Sequence, residues 1–148
     1  MTHPIVEFAR VELQVKLHPG QAAELEAYYS SERPNWLLLA GRRSGKSLLA
    51  DIIAIYESVV PDFTGILRPD EERFVIIVST RQSNASLHIR NIQGLLKHKP
   101  ALRRLVKQVQ RDQLELTNGV IVVSLPASAR AGRGFTCSTL ILDELAHF

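Results

Sequence analysis

The sequence predicts an α/β domain with a largely parallel central sheet flanked by helices. Three observations lead there. Continuous apolar runs of strand length, at 36–40, 74–78 and 139–142, alternate with helix-patterned stretches. Polar or charged residues follow each run, and a basic, glycine-containing turn joins the first run to an amphipathic helix. In sheets of this kind ligands bind beyond the carboxyl ends of the strands, so those polar ends are where chemistry is expected.

Each element has its own local reason. Val11, Leu13, Val15 and Leu17 alternate with Glu12, Gln14 and Lys16, which predicts a half-buried strand ended by His18-Pro19-Gly20. A helix is expected over 21–29, followed by a polar break. Residues 36–40 read as a fully buried strand, because the run is too short and too apolar for a surface helix. From Ser47 onward Leu48, Leu49, Ile52, Ile53 and Tyr56 share a helical face, and Pro61 stops the pattern. Residues 74–78 predict a second buried strand, which runs into Ser79-Thr80-Arg81-Gln82-Ser83-Asn84. Leu87, Ile89, Ile92, Leu95 and Leu96 predict a helix, and a further short one is expected over 102–109. Asn118-Gly119, between two apolar segments, predicts a hairpin because both residues tolerate the positive φ of a tight turn. Residues 126–134 read as a loop and 139–142 as a third buried strand delivering Asp143 and Glu144.

Composition narrows the class. The 148 residues suffice for one core, and 45% apolar with 22% charged residues is the balance of an ordinary globular domain. The formal charge of +3 permits an anionic partner such as nucleic acid without requiring one. Cys137 is the sole cysteine, so no intramolecular disulfide forms and a cytoplasmic setting is expected; a small buried thiol is its simplest reading. No stretch has the pattern of a targeting signal or reaches membrane-spanning length. His3, His18, His88, His98 and His147 are scattered without metal-ligand spacing, and no zinc site is predicted.

The segment AGRRSGKS, from Ala40 to Ser47, matches the phosphate-binding pattern G-x-x-x-x-G-K-[ST] except that Ala40 replaces the first glycine. A loop of this kind turns successive backbone N–H groups toward a phosphate. Gly45 allows close approach, Lys46 supplies a point charge to the β and γ phosphates, and Ser47 offers a hydroxyl to Mg²⁺. Gly41, Arg42, Arg43 and Ser44 complete the expected cradle. Further on, Asp143 is placed to orient the Mg²⁺ shell and Glu144 to align or deprotonate an attacking water. Together the two motifs predict a P-loop ATPase of the RecA-like class that uses ATP and Mg²⁺.

In order, Leu17-His-Pro-Gly-Gln21, LLLAGRRSGKS, FVIIVSTRQSNAS and TNGVIVVSLPASARAGRGFTCSTLILDELAHF resemble the N-terminal half of the ATPase domain of phage terminase large subunits, the DNA-packaging motors. The resemblance runs from about Val11 to the last residue. It implies ATP hydrolysis driving double-stranded DNA into a procapsid in the host cytoplasm. It also implies the terminase small subunit and portal protein as partners, and a homo-oligomeric ring.

Carried over by position, Gln21 corresponds to an adenine-recognising glutamine, with a polar helix-start residue as the plain alternative. Lys46 and Ser47 take phosphate and Mg²⁺, Asp143 orients the metal and Glu144 is catalytic. Arg42 or Arg43 senses the γ phosphate or simply faces solvent. Arg133 matches an arginine reaching a neighbouring subunit's ATP, against a loop arginine that binds DNA or nothing. Thr80-Arg81-Gln82 falls where related helicases and motors couple ATP to DNA, with a polar strand-end turn as the plain alternative. Lys97, His98, Lys99, Arg103, Arg104, Lys107 and Arg111 form a basic segment that either meets DNA phosphates or is a solvated face. Family members continue through further strands and a nuclease domain. Residues 1–148 are therefore expected to be a C-terminally incomplete ATPase domain without nuclease activity, with an exposed edge at the Asp143 strand. A helicase-like ATPase of the DExx type and a non-catalytic nucleotide- or DNA-binding remnant are the alternatives.

Overall fold

The computed structural model describes residues 2–128, 134 and 136–144. The strand expected over 11–17 does not form: the chain is helical up to Glu12 and irregular over 13–18. Pro4–Glu7 forms α1, and Phe8–Glu12 continues as a π-helical turn. Ile5, Ala9 and Leu13 are fully buried. Their four-residue spacing puts them on one helical face, and that burial overrides the period-two alternation of 11–17. Helix α2, Pro19–Ser30, begins with a reciprocal cap: the His18 ring accepts from the helix start while the Gln21 side chain accepts from the His18 N–H at 2.8 Å.

The run 36–40 is extended backbone but not a strand. Trp36 and Leu38 turn toward the core, whereas Leu37 and Leu39 are 67% and 86% exposed. Among the described residues no strand lies beside it to exchange ladder hydrogen bonds, so its apolar content alone does not make it a buried strand. Trp36 is instead fixed by stacking on Tyr28, with ring centroids 5.0 Å apart. Helix α3, Lys46–Val59, follows as expected, and so do β1, Arg73–Ser79, and α4, Gln82–Leu96.

Helix α5 is only Pro100–Arg103, after which Val106–Val109 forms strand β2; the helix expected over 102–109 therefore ends early. Pairing with β3, through a register shift between Val106 and Gln108, decides for the strand. Strands β3, Gln113–Leu116, and β4, Val120–Pro126, form the hairpin that Asn118-Gly119 signals, with Gly119 at φ 86°. Strand β5 is Thr136–Leu142.

The sheet runs β2-β3-β4-β1-β5. Strand β1 pairs in parallel with β4 and β5, whereas β2–β3 and β3–β4 are antiparallel. The sheet is thus mixed, not largely parallel, because the local hairpins reverse the chain on one side of β4. Side chains alternate across it. Val75, Ile77, Val120 and Val122 join the main core with residues of α3 and α4, while Phe74, Ile76, Ile121 and Val123 form a smaller cluster on the other face. Strand β5 lies at the sheet edge and is not the buried strand expected over 139–142: Leu140 is 58% and Leu142 41% exposed.

Candidate functional site

The turn before α3 has an unusual backbone. Gly45, at the helix start, has φ 79°, and a Cβ there would collide with the Gln21 side-chain nitrogen. The positive φ favours glycine, and any larger residue would also have to displace the Gln21 amide. Gln21 donates from that nitrogen to the Ser44 carbonyl at 3.1 Å, so the start of α2 is tied to the turn. Leu49 N–H donates to the Gly45 carbonyl at 3.0 Å as α3 begins; N–H groups nearer the helix start lie ahead of any intrahelical partner and point out at the positive end of the helix dipole. They open on a cleft of about 580 Å³ whose walls include Gln21, Leu38, Arg43, Ser44, Lys46 and Leu49. Gly41, Arg42, Arg43 and Ser44 are exposed, and Lys46 is half-buried.

The strand ends supply the acids. The Asp143 N–H donates to the Val78 carbonyl at 2.9 Å, which carries the β1–β5 ladder one residue past the strand and fixes the aspartate backbone. Its side chain meets α3: the Ser47 hydroxyl donates to Asp143 Oδ2 at 3.4 Å. Glu144 accepts from the Thr80 hydroxyl, at the end of β1, at 3.3 Å. Among the described residues four non-glycine positions have positive φ, and two of them, Arg43 at 60° and Glu144 at 57°, belong to this site. A left-handed backbone costs such residues about 1–2 kcal/mol, and strain of this kind concentrates at functional sites.

Behind the acids lies a buried polar chain. His88 on α4 faces Asp51 on α3 through Nδ1, 2.5 Å from Oδ1, and Asp143 through Nε2, 2.9 Å from Oδ2. His88 and Asp51 are both buried. Burial works against the imidazolium, but the hydrogen bonds and charges of Asp143 and Asp51 outweigh it and push the imidazole up to about 9. The bond from His88 holds the Asp143 carboxyl below its usual range despite partial burial, with smaller help from Ser47 and Lys46. At Asp51 burial wins over the His88 bond and raises the carboxyl.

The structure therefore brings Gln21, Gly45, Lys46, Ser47, Asp143 and Glu144 to one end of the sheet. Arg133 lies outside the described residues. Within 80–82, Thr80 holds Glu144, and the Gln82 side chain donates to Ser86 at 3.4 Å. In the basic segment Lys99 pairs with Glu12 at 3.3 Å and Lys107 with Glu115 at 3.2 Å. Cys137 is exposed on the edge strand, contrary to the buried thiol expected. Sequence reading missed Asp51 and His88, yet a signal was there. Asp51 sits four residues before buried Ile55, and His88 four before buried Ile92, so both polar side chains occupy core positions of their helices.

A bound Mg²⁺ with nucleotide fits the donor set, since a hydroxyl and a low-pKa carboxylate are the hard oxygen ligands that ion takes alongside water and phosphate. Among the described residues no group of three or more His, Cys, Asp and Glu side chains is arranged to hold a metal unaided. Among them, too, no helix is long and apolar enough to cross a membrane.

A five-stranded mixed sheet with this helix start and acid pair at one end defines the chain as a mixed α/β domain of terminase-like fold. The particular likeness is to the crystal structure of the HK97 bacteriophage large terminase, with a TM-score of 0.69 and 19% sequence identity over 86% of this chain. The match spans 26% of that terminase's length. Neither the protein-family models nor the curated proteins give a match to this sequence.

Proposed function

We propose that the chain is the nucleotide-binding part of a P-loop ATPase that drives DNA packaging, with double-stranded DNA as the translocated partner. The observation that carries this reading is the meeting of Ser47 and Asp143 at 3.4 Å, which joins the loop motif to the acidic strand end across the fold. The likeness of the fold to a phage large terminase supports the packaging context.

In this reading the N–H groups around Gly45 and the Lys46 ammonium bind the phosphates in the cleft, where a fixed positive field costs no reorganisation. Ser47 and Asp143 hold Mg²⁺, which when bound neutralises phosphate charge. Glu144, kept in place by Thr80, orients the attacking water and accepts its proton. Gln21 and Arg43, but not Arg42, line the same cleft, which supports Gln21 as the residue that meets the nucleotide and Arg43 as the loop arginine that senses it. Arg133 acting toward a neighbouring subunit, a ring of copies, small-subunit and portal partners and a cytoplasmic setting belong to the same proposal.

The test separates binding from chemistry. The wild-type chain is expected to bind a fluorescent ATP analogue with Mg²⁺ and to release phosphate faster with double-stranded DNA. Glu144→Gln should keep the binding and lower release by a hundredfold or more. Equal release from both proteins would remove Glu144 from the mechanism, and no nucleotide binding by folded wild type would end the ATPase reading.

A further inference from the structure

We propose that His88 is a positioning residue: held by Asp51 from behind, it sets the Asp143 carboxylate beside Ser47 and so prepares the magnesium site. The inference rests on the ATPase reading above and extends it to a residue outside the loop and strand motifs.

The geometry has three parts. First, the bonds from His88 Nε2 and from the Ser47 hydroxyl converge on the same oxygen, Asp143 Oδ2, at 2.9 and 3.4 Å. That oxygen is located by two elements at once, α4 and α3. Second, the imidazole cannot turn freely, because its Nδ1 is 2.5 Å from Asp51 Oδ1 inside the core. A ring nitrogen fixed on one side directs the other, the same device by which a carboxylate behind a histidine orients a metal ligand. Third, the backbone of Asp143 is fixed separately by β1 through Val78. Backbone and side chain of the aspartate thus have independent anchors.

This arrangement also gives a reason for the burial of Asp51 and His88 in helices whose neighbouring core positions are apolar, since an apolar pair there would carry less desolvation cost. Helix α4 starts at Gln82, directly after Thr80 and Arg81, and Thr80 holds Glu144. One rigid unit, the end of β1 with α4, therefore touches both acids of the site, one through Thr80 and the other through His88.

The experiment uses the 148-residue chain with ATP and Mn²⁺ as a spectroscopic stand-in for Mg²⁺. Metal-free ATP binding is measured in EDTA, and Mn²⁺ binding to the ATP complex by electron paramagnetic resonance. His88→Gln should leave metal-free ATP binding within twofold of wild type and raise the Mn²⁺ concentration for half-saturation by tenfold or more, the usual size of such outer-shell effects. Asp51→Asn, which keeps the imidazole but weakens its anchor, should give a smaller shift in the same direction and serves if His88→Gln does not fold.

In wild type itself, the ¹⁵N signals of the His88 ring should move when Mg²⁺ is added to the ATP complex and stay put when ATP is added alone. Unchanged Mn²⁺ half-saturation in a folded variant, or His88 signals indifferent to Mg²⁺ in wild type, would overturn the positioning role. Failure of wild type to bind ATP at all would instead strike the ATPase reading, so the two failures are distinct.

Discussion

The two ends of helix α3 are finished in opposite ways. At the C-terminal end the last carbonyls are closed from within the fold: the Arg73 guanidinium donates to the Glu57 carbonyl at 2.8 Å and the Ser58 carbonyl at 3.4 Å, and the Asn118 amide donates to Ser58 at 2.8 Å. Arg73 also lies over the Phe63 ring, 4.3 Å from its centroid. A buried cation there complements the negative end of the helix dipole. At the N-terminal end the positive pole faces a cleft, and glycine and serine replace the anion or side-chain cap that a purely structural helix would carry. The same helix thus satisfies one pole internally and leaves the other facing a cleft, the end at which we propose that phosphate binds.

Substitutions at the two ends should therefore separate into stability and binding effects. The largest effect is expected at Arg73. Arg73→Met leaves the Glu57 carbonyl without its donor and removes the cation, and should lower the unfolding free energy by about 2–3 kcal/mol in urea melts. Nucleotide affinity in the folded fraction should be unchanged. Gly45→Ala should act at the other end on both quantities. The positive φ costs about 1–2 kcal/mol for a residue with a Cβ, and displacement of Gln21 should weaken ATP binding severalfold. A variant that loses stability but not affinity would mean that the turn is structural only.

Asn118→Ala sharpens the comparison further. It removes one of two donors to Ser58, so the expected loss is about 1 kcal/mol, smaller than at Arg73. A loss equal to that of Arg73→Met would assign the closure of this end to the amide instead of the cation.

The open end should also leave a pH signature. The His88 imidazole rises from 6.5 to about 9 on folding, so its contribution is fully present below pH 6.5 and disappears as the pH rises through about 9. Asp143 acts the other way: its lowered carboxyl stabilises above the ordinary carboxylate range and ceases to as the pH falls through its depressed value. Unfolding free energy should thus fall between pH 6.5 and 9 in urea titrations. A flat profile across that window would place a neutral imidazole between the carboxylates.

What could be read from the sequence was what is decided locally. The face of Leu49, Ile52, Ile53 and Tyr56 set α3, and Asn118-Gly119 set the β3–β4 hairpin, because helix period and turn chemistry are properties of neighbouring residues. Residues 36–40 and 102–109 went otherwise, since an apolar run becomes a strand only where another strand meets it. The parallel character of the sheet was overestimated for the same reason: pairing of β2 with β3 is not written in either segment alone. In the site, Lys46-Ser47 and Asp143-Glu144 stand in compact motifs, whereas Asp51, His88 and Asp143 lie far apart in sequence and meet only through the packing of α3, α4 and β5.

The most direct test of the central claim is isothermal calorimetry of Mg-ATP binding to the 148-residue chain and to Lys46→Ala. Wild type should bind saturably and the variant at least a hundredfold more weakly, with the two proteins melting within a few degrees of each other. Equal affinities in two folded proteins would contradict the claim, because the open pole of α3 would then not be where the phosphates sit.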